Sequence, residues 1–98
     1  MVVRIEFEAE VWRWDARAEA WYFVHVPEEI SRDLREMPAP PRGFGSLRVE
    51  ARIGETVFRT SIFPGGDTYW LPLKRAVRDA EGIVEGGAVT VQLDVLEL

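Results

Sequence analysis

The segment IGETVFRTSIFPGGDTYWLPLKRAVRDAEGIVEGGAVTV, from Ile53 to Val91, decides the fold because its turn residues set the order of its elements. Gly54-Glu55 predicts a two-residue hairpin turn, since glycine adopts a positive φ there without strain. The strand before this turn runs from Leu47 to Ile53 and alternates apolar with charged residues. The strand after it is predicted to direct three side chains to the core: Phe58, Thr60 and Ile62.

The second half of this segment predicts a short strand, a helix and a last strand. A turn at 64–67 leads into a strand from Thr68 to Leu71. Pro72 suits the first turn of a helix, and Gly82 suits the position just past its end. Four residues are predicted to share the apolar face of that helix: Leu73, Ala76, Val77 and Ala80. The last strand alternates apolar with polar residues, and its apolar members are Val89, Val91, Leu93 and Val95.

The first quarter of the chain predicts two further strands. Val3 to Val11 alternates strictly between apolar and charged residues, which is typical of a strand with one buried face. Residues 12–19 break this alternation and predict a turn or loop. Trp21 to Val26 is apolar on both faces and predicts a strand that is covered on both sides.

A first helix is predicted between these strands and the hairpin. It runs from Glu28 to Met37, with early glutamates that suit the positive end of a helix. Prolines and a glycine within 38–43 end the helix and predict a stiff connector. Six short strands and two short helices in one chain predict a mainly β (α+β) fold, a small closed or partly closed β-barrel.

Length and composition bound the class of protein. Ninety-eight residues, 47% of them hydrophobic, predict a single β-barrel domain over residues 1–98. The chain has no cysteine and no long apolar run at its start, so we expect a cytoplasmic protein that does not engage a membrane. Its net charge of −5 makes nucleic acid an unlikely partner, although a local basic patch is compatible with it.

Four pieces of the sequence together resemble the bacterial domain-of-unknown-function family 1905. They are Phe7–Glu10, Trp21–Pro27, Thr60–Pro64, and Lys74–Gly86 leading into Val89–Val91. The resemblance implies a small β-barrel without an established activity. It also implies relatives that occur alone or fused to a bacteriocin-protection (OmpD-associated) domain. The chain departs from the family pattern at Gly87, where many relatives carry aspartate.

Residues that could carry catalysis or bind a metal are few. His25 is the only histidine and there is no cysteine, so we expect neither a metal site nor a cofactor. Ser61 or His25 could serve a small hydrolase or isomerase, but Ser61 has no nucleophile-elbow sequence around it. His25 more often has a packing role in such a strand. We therefore expect a protein that is not an enzyme.

Aromatic residues in excess of the needs of a small core stand near basic ones. They predict a surface for binding or self-association, with a small ligand or a second copy of the chain as partner. The predicted surface comprises Trp21, Arg59, Tyr69, Trp70, Lys74 and Arg75. The competing interpretation is that the tryptophans cap the ends of the barrel.

An alternative function rests on the second helix. Leu71 to Val91 is similar to the swapped-hairpin DNA-binding domains of transition-state regulators and antitoxins. In that alternative, Lys74, Arg75 and Arg78 would form a basic helix face toward DNA.

Overall fold

The computed structural model describes residues 3–16, 19–36 and 45–96. Within them the chain forms seven strands and two helices. In chain order these are β1 (Val3–Glu10), β2 (Trp12–Ala16), β3 (Glu19–His25), α1 (Glu28–Glu36), β4 (Leu47–Ile53), β5 (Thr56–Gly65), β6 (Thr68–Pro72), α2 (Arg75–Glu81) and β7 (Ala88–Val95).

The strands form one antiparallel sheet in the order β1-β7-β4-β5-β6-β3-β2, curled into an open half-barrel. The sheet bends at β5, the longest strand. Residues 56–62 of β5 pair with β4, and residues 63–65 pair with β6. The predicted two-residue turn at Gly54-Glu55 is confirmed, with Ile53 opposite Thr56 and a positive φ of 60° at Gly54.

The concave face of the sheet carries the core, because alternate residues of every central strand point to it. Val49, Leu71 and Leu93 come from three different strands and are fully buried. Burying a side chain of this size contributes about 1.5–3 kcal/mol relative to leaving it exposed. α1 packs against β6 and adds Leu34 to this core, with Ile30 partly buried beside it.

A buried serine joins α1 to the sheet. Ser31 has no solvent exposure, and its Oγ donates a hydrogen bond to the Val26 carbonyl over 3.1 Å. The same Oγ accepts a hydrogen bond from the Tyr69 backbone N–H over 3.0 Å. Val26 N–H in turn donates to the Tyr69 carbonyl over 2.8 Å. The three residues therefore tie the end of β3, the first turns of α1 and the start of β6 together.

The predicted mainly β fold is confirmed, but the predicted six-stranded, closed or partly closed barrel requires correction. Trp12–Ala16, predicted as a turn or loop, is the strand β2, and the sheet stays open because β1 and β2 are its two edge strands. The chain passes from β1 to β2 at Val11, whose side chain is buried. Val11 N–H bonds the Gly87 carbonyl, which holds this junction against the turn before β7.

The start of the second helix also differs from its prediction. Pro72 ends β6 opposite Phe23, and α2 begins only at Arg75. Of the predicted apolar face, Leu73 and Val77 are buried whereas two alanines are not. Those alanines are Ala76 and Ala80. The end of the helix agrees with its prediction, because Gly82 follows it with a φ of 62°.

Three other strands agree with their predictions, because β1, β4 and β7 have the predicted alternation of buried and exposed residues in their central parts. The third predicted strand requires correction: β3 is not covered on both sides within this chain, since Trp21 on its outward face is 52% exposed. The predicted helix end at Met37 and the connector at 38–43 lie outside the described residues. No helix in the described part of the chain is long and apolar enough to span a membrane.

Candidate ligand-binding groove

The convex face of the sheet is divided into a charged half and an aromatic half. On β1, β7 and β4 the outward positions hold mostly charged residues, such as Glu6, Asp94 and Arg48. On β6, β3 and β2 they hold rings instead, such as Trp70 and Trp14. β5 lies between the two halves and carries residues of both kinds. The division follows from strand order, because residues distant in sequence become neighbours across the ladder.

The aromatic half is a continuous strip of rings. Trp14 lies opposite Trp21 in the β2–β3 ladder, and these side chains are 56% and 52% exposed. Phe23 stacks on Trp70 with ring centres 4.5 Å apart and planes 4° from parallel. We call this surface the aromatic strip; it encloses a shallow apolar depression of about 200 Å³ lined by Trp14, Trp21, Tyr22, Phe23, Phe63, Trp70 and Pro72.

His25 lies at one end of the aromatic strip and is held by its neighbours. Its Nδ1 is 2.8 Å from Thr68 Oγ1, within hydrogen-bond distance. Its ring makes edge-to-face contacts with Trp12, Phe23 and Trp70 at centroid distances of 5.4–6.1 Å. These contacts agree with a packing role for the imidazole.

An open groove of about 470 Å³ adjoins the strip, and we call it the basic groove. It lies between α2, the outward face of β4 and β5, and the start of β3. Of its described lining residues, five are basic and one, Glu19, is acidic. The basic residues are Arg48, Arg59, Lys74, Arg75 and Arg78. Trp21, Tyr22 and Phe63 line both the groove and the strip, so the two surfaces are continuous.

Two of the five basic side chains are fixed by partners within the fold. Arg78 Nε donates a hydrogen bond to the Leu73 carbonyl over 3.1 Å, and its guanidinium carbon lies 3.9 Å from the centre of the Tyr22 ring. That geometry is a cation–π contact. Arg59 Nε donates to Glu50 Oε2 over 3.0 Å. Both guanidinium groups are thus positioned, and Glu50 offsets the charge of one of them.

The remaining three basic side chains are less committed. Arg75 is 3.5 Å from Asp79 across one turn of α2, an exposed pair that contributes little to stability. Among the described residues, no ion pair engages Arg48 or Lys74. Lys74 occupies the position just before α2, and its carbonyl accepts the N–H groups of Val77 and Arg78. These cations are therefore available to an incoming anion.

The structure brings together four residues of the predicted surface. Trp21, Arg59, Lys74 and Arg75 line the basic groove. A fifth, Trp70, lies next to them on the aromatic strip.

The sixth residue of the predicted surface, Tyr69, is elsewhere. It is only 5% exposed. Neighbouring strand residues point to opposite faces, so Tyr69 faces the core while Trp70 faces outward. Burial raises the pKa of its phenol, and the guanidinium of Arg35 above its ring, 5.8 Å from the centroid, partly opposes that rise.

Sequence reasoning did not include Arg48 and Phe63 in the surface. Both face outward on consecutive strands, with Arg48 opposite Ser61 and Phe63 opposite Trp70, so the hairpin registers carried a signal that could have found them. Ser61 also lines the groove, opposite Arg48. His25, the other residue named for a hydrolase or isomerase, does not line the groove, and its Nδ1 is within hydrogen-bond distance of Thr68 Oγ1.

The charged half of the convex face has a second depression, of about 240 Å³, whose lining includes the ion pair of Arg4 with Asp94. Arg4 Nε and Nη2 donate to the two carboxylate oxygens of Asp94 over 2.8 and 3.1 Å. The hydrogen bond from Arg4 holds the pKa of Asp94 below its usual value. In the part of the chain that the structure describes, no group of three or more acidic or histidine side chains is arranged to hold a metal.

The family model of a domain of unknown function, DUF1905, matches residues 7–93. The chain belongs to this family. The resemblance predicted from the four sequence pieces is therefore confirmed, and every residue that lines the basic groove lies within the family's matched range. A search of curated proteins found no match. Because DUF1905 is by its description a domain of unknown function, the family gives no ligand, and the groove itself is the evidence on function.

Proposed function

We propose that the chain is a binding module whose basic groove takes a small anionic ligand that carries a flat apolar group. The observation that carries this proposal is the charge of the groove. Five basic residues and a single acidic one line it, in a protein whose net charge is −5. Neighbouring cations repel one another, and a bound anion reduces that repulsion, so a basic groove in an acidic chain favours an anionic ligand.

The chemistry of the lining suggests the class of ligand. Guanidinium groups bind carboxylate and phosphate oxygens through two parallel hydrogen bonds, and an ammonium adds a mobile point charge. Arg48 and Lys74 have no ion partner within 3–16, 19–36 and 45–96 to lose on binding, and Arg78 is already positioned over Tyr22. The volume of about 470 Å³ lies within the range of small-molecule sites.

The aromatic wall supports a flat apolar group beside the anion. Trp21 and Phe63 are 52% and 47% exposed where the basic groove meets the aromatic strip. Rings at such a boundary offer stacking surface to a planar ligand. No reaction is needed to explain this arrangement, so we propose binding rather than catalysis. The proposal keeps the cytoplasmic location that the absence of cysteine favours.

A titration with 1-naphthyl phosphate tests the proposal, because this probe joins an anion to a flat ring. We expect saturable binding, followed by NMR shifts of the Trp21 indole, and weaker binding by inorganic phosphate or by 1-naphthalenemethanol. Lys74→Gln and Arg48→Gln should each weaken binding about three- to tenfold, as expected for one charge-assisted contact. The matched control is Arg32→Gln on the exposed face of α1, which should bind as wild type does.

Three results would count against the groove as the site. The first is no binding of 1-naphthyl phosphate at millimolar concentration. The second is an equal loss of affinity in Arg32→Gln and Lys74→Gln. The third is equally tight binding of 1-naphthalenemethanol, which carries no charge. A gel shift of a random DNA duplex by micromolar protein at low salt would instead favour the DNA-binding alternative through Lys74, Arg75 and Arg78.

A further inference from the structure

We propose that two copies of the chain associate by pairing β2 with β2, so that one curled sheet continues into the next. β2 is an edge strand, and within the described residues it pairs only with β3. An unpaired strand edge offers backbone N–H and C=O groups to another strand. Two tryptophans of this strand are also exposed, Trp12 at 49% and Trp14 at 56%.

The sequence of β2 is self-complementary when it is read against an antiparallel copy of itself. Centred on Trp14, the pairing sets Trp14 against the partner's Trp14 and Trp12 against the partner's Ala16. Arg13 then lies opposite the partner's Asp15, and Asp15 opposite the partner's Arg13. Opposite charges that face each other across an antiparallel ladder stabilise it. A two-fold axis through Trp14 produces this arrangement and closes the assembly at two copies.

Other registers of the same pairing are unfavourable. A shift by two residues in one direction sets Arg13 against the partner's Arg13, and in the other direction Asp15 against the partner's Asp15. Like charges directly opposite each other destabilise a ladder. A shift by one residue would put the tryptophans on the opposite face from the partner's. Inward charges usually protect an edge strand from pairing, but the order Arg13, Trp14, Asp15 leaves one register in which they attract.

The charged pair is already positioned for a partner. Arg13 Nη2 lies 3.1 Å from Asp15 Oδ1 along β2, with both side chains substantially exposed. In the dimer each guanidinium would bridge its own and the partner's carboxylate, a network rather than an isolated pair.

The same register extends the aromatic strip. Trp21 lies opposite Trp14 within one copy. Across the two-fold axis the row becomes Trp21, Trp14, the partner's Trp14 and the partner's Trp21. At a strand spacing of about 4.8 Å, these four tryptophans span about 14 Å of one sheet surface. Pairing would therefore cover rings that are half exposed in the single chain.

Sedimentation velocity of the full chain from about 10 μM to 1 mM, with charge-reversed variants, tests the proposal. We expect a monomer–dimer equilibrium in the wild type. Arg13→Asp turns both cross-strand pairs into repulsive ones and should raise the dimer Kd about tenfold or more, and Asp15→Arg should do the same. The double variant R13D/D15R restores opposite charges and should dimerise as wild type does.

Mixing the two single variants gives the sharpest result. Each variant alone repels its own copy, because positions 13 and 15 then carry the same charge. In the mixture, two acidic positions of one chain lie opposite two basic positions of the other, so equimolar amounts should form a heterodimer. Arg32→Asp, the same charge change on α1, should leave the wild-type equilibrium unchanged. Circular dichroism checks that each variant is folded; if a reversal is not, R13Q and D15N replace it, with a weakening of a few-fold expected.

The proposal is overturned by a wild type that stays monomeric at 1 mM. It is equally overturned by a dimer that the single reversals leave intact, or by folded variants whose mixture and double form do not associate.

Discussion

Removing the hydroxyl of Ser31 should destabilise the fold more than removing any other polar side-chain atom of the described residues. The side chain is completely buried, and its Oγ both donates to Val26 and accepts from the Tyr69 N–H. Ser31→Ala keeps the helix but leaves the Tyr69 N–H without its acceptor in a site that water does not reach. The change therefore isolates the contribution of one oxygen atom.

The magnitude follows from the two hydrogen bonds. Leaving a buried donor unsatisfied costs about 1–3 kcal/mol. The higher helix propensity of alanine returns about 0.5 kcal/mol. We expect a net loss of about 1.5 kcal/mol, a substantial share of the roughly 5–15 kcal/mol that stabilises a typical domain. For a chain of this length that loss lowers Tm by about 6–12 °C.

Urea denaturation followed by circular dichroism measures the loss. Ser61→Ala is the matched control, because that serine is only half-buried on the convex face, and its change should stay within about 0.5 kcal/mol. Hydrogen exchange of the Tyr69 amide gives a local readout and should accelerate in Ser31→Ala. A loss below about 0.5 kcal/mol with unchanged exchange at Tyr69 would refute the role given to Ser31.

Two other substitutions test the two halves of the convex face. Gly65→Ala should cost about 1–3 kcal/mol of stability in a urea titration, because the added Cβ would lie 2.8 Å from the Trp70 ring and displace it from Phe23; wild-type stability with an unchanged near-ultraviolet spectrum would contradict this. Arg4→Gln should return the pKa of Asp94 toward its ordinary value, since the hydrogen bond from Arg4 is what lowers it. A carboxyl group whose pKa is lower in the folded state stabilises the fold above its unfolded-state pKa, and this stability is lost as pH falls through the folded-state pKa. The wild type should therefore lose this contribution in acid, and the variant should not have it. A carboxyl carbon NMR titration in which the pKa of Asp94 does not change would argue against the pair.

Much of the fold follows from local pattern because most strands bury only one face. β1, β4 and β7 alternate apolar with polar residues, and the structure confirms all three. β2 was missed because the pattern changes phase rather than stops. Val11 is buried, yet Trp12 and Trp14 then face outward, so the apolar residues of this strand point away from the core. A change of phase with aromatic residues outside resembles a turn in sequence.

The candidate groove overlaps the predicted surface only in part. Trp21, Lys74 and Arg75 could be grouped because aromatic and basic residues exceed what a small core requires. Arg48 was left out although the predicted turn at Gly54-Glu55 places it opposite Ser61; its position beside α2 and Trp21 follows only from the arrangement of the whole sheet. Tyr69 was wrongly included because its neighbour Trp70 shares its chemistry, whereas adjacent strand residues face opposite sides.

The pairing of β1 with β7 has a consequence for the newly made chain. Val3 lies opposite Val95, so β1 stays without its partner strand until β7 is synthesised about 85 residues later. At the usual 5–20 residues per second, that interval lasts roughly 4–17 s on the ribosome. During it, the apolar face of β1 is open to other nascent chains. Glu6, Glu8 and Glu10, exposed along that strand, then act as gatekeepers: their mutual repulsion discourages two such strands from meeting before β7 arrives.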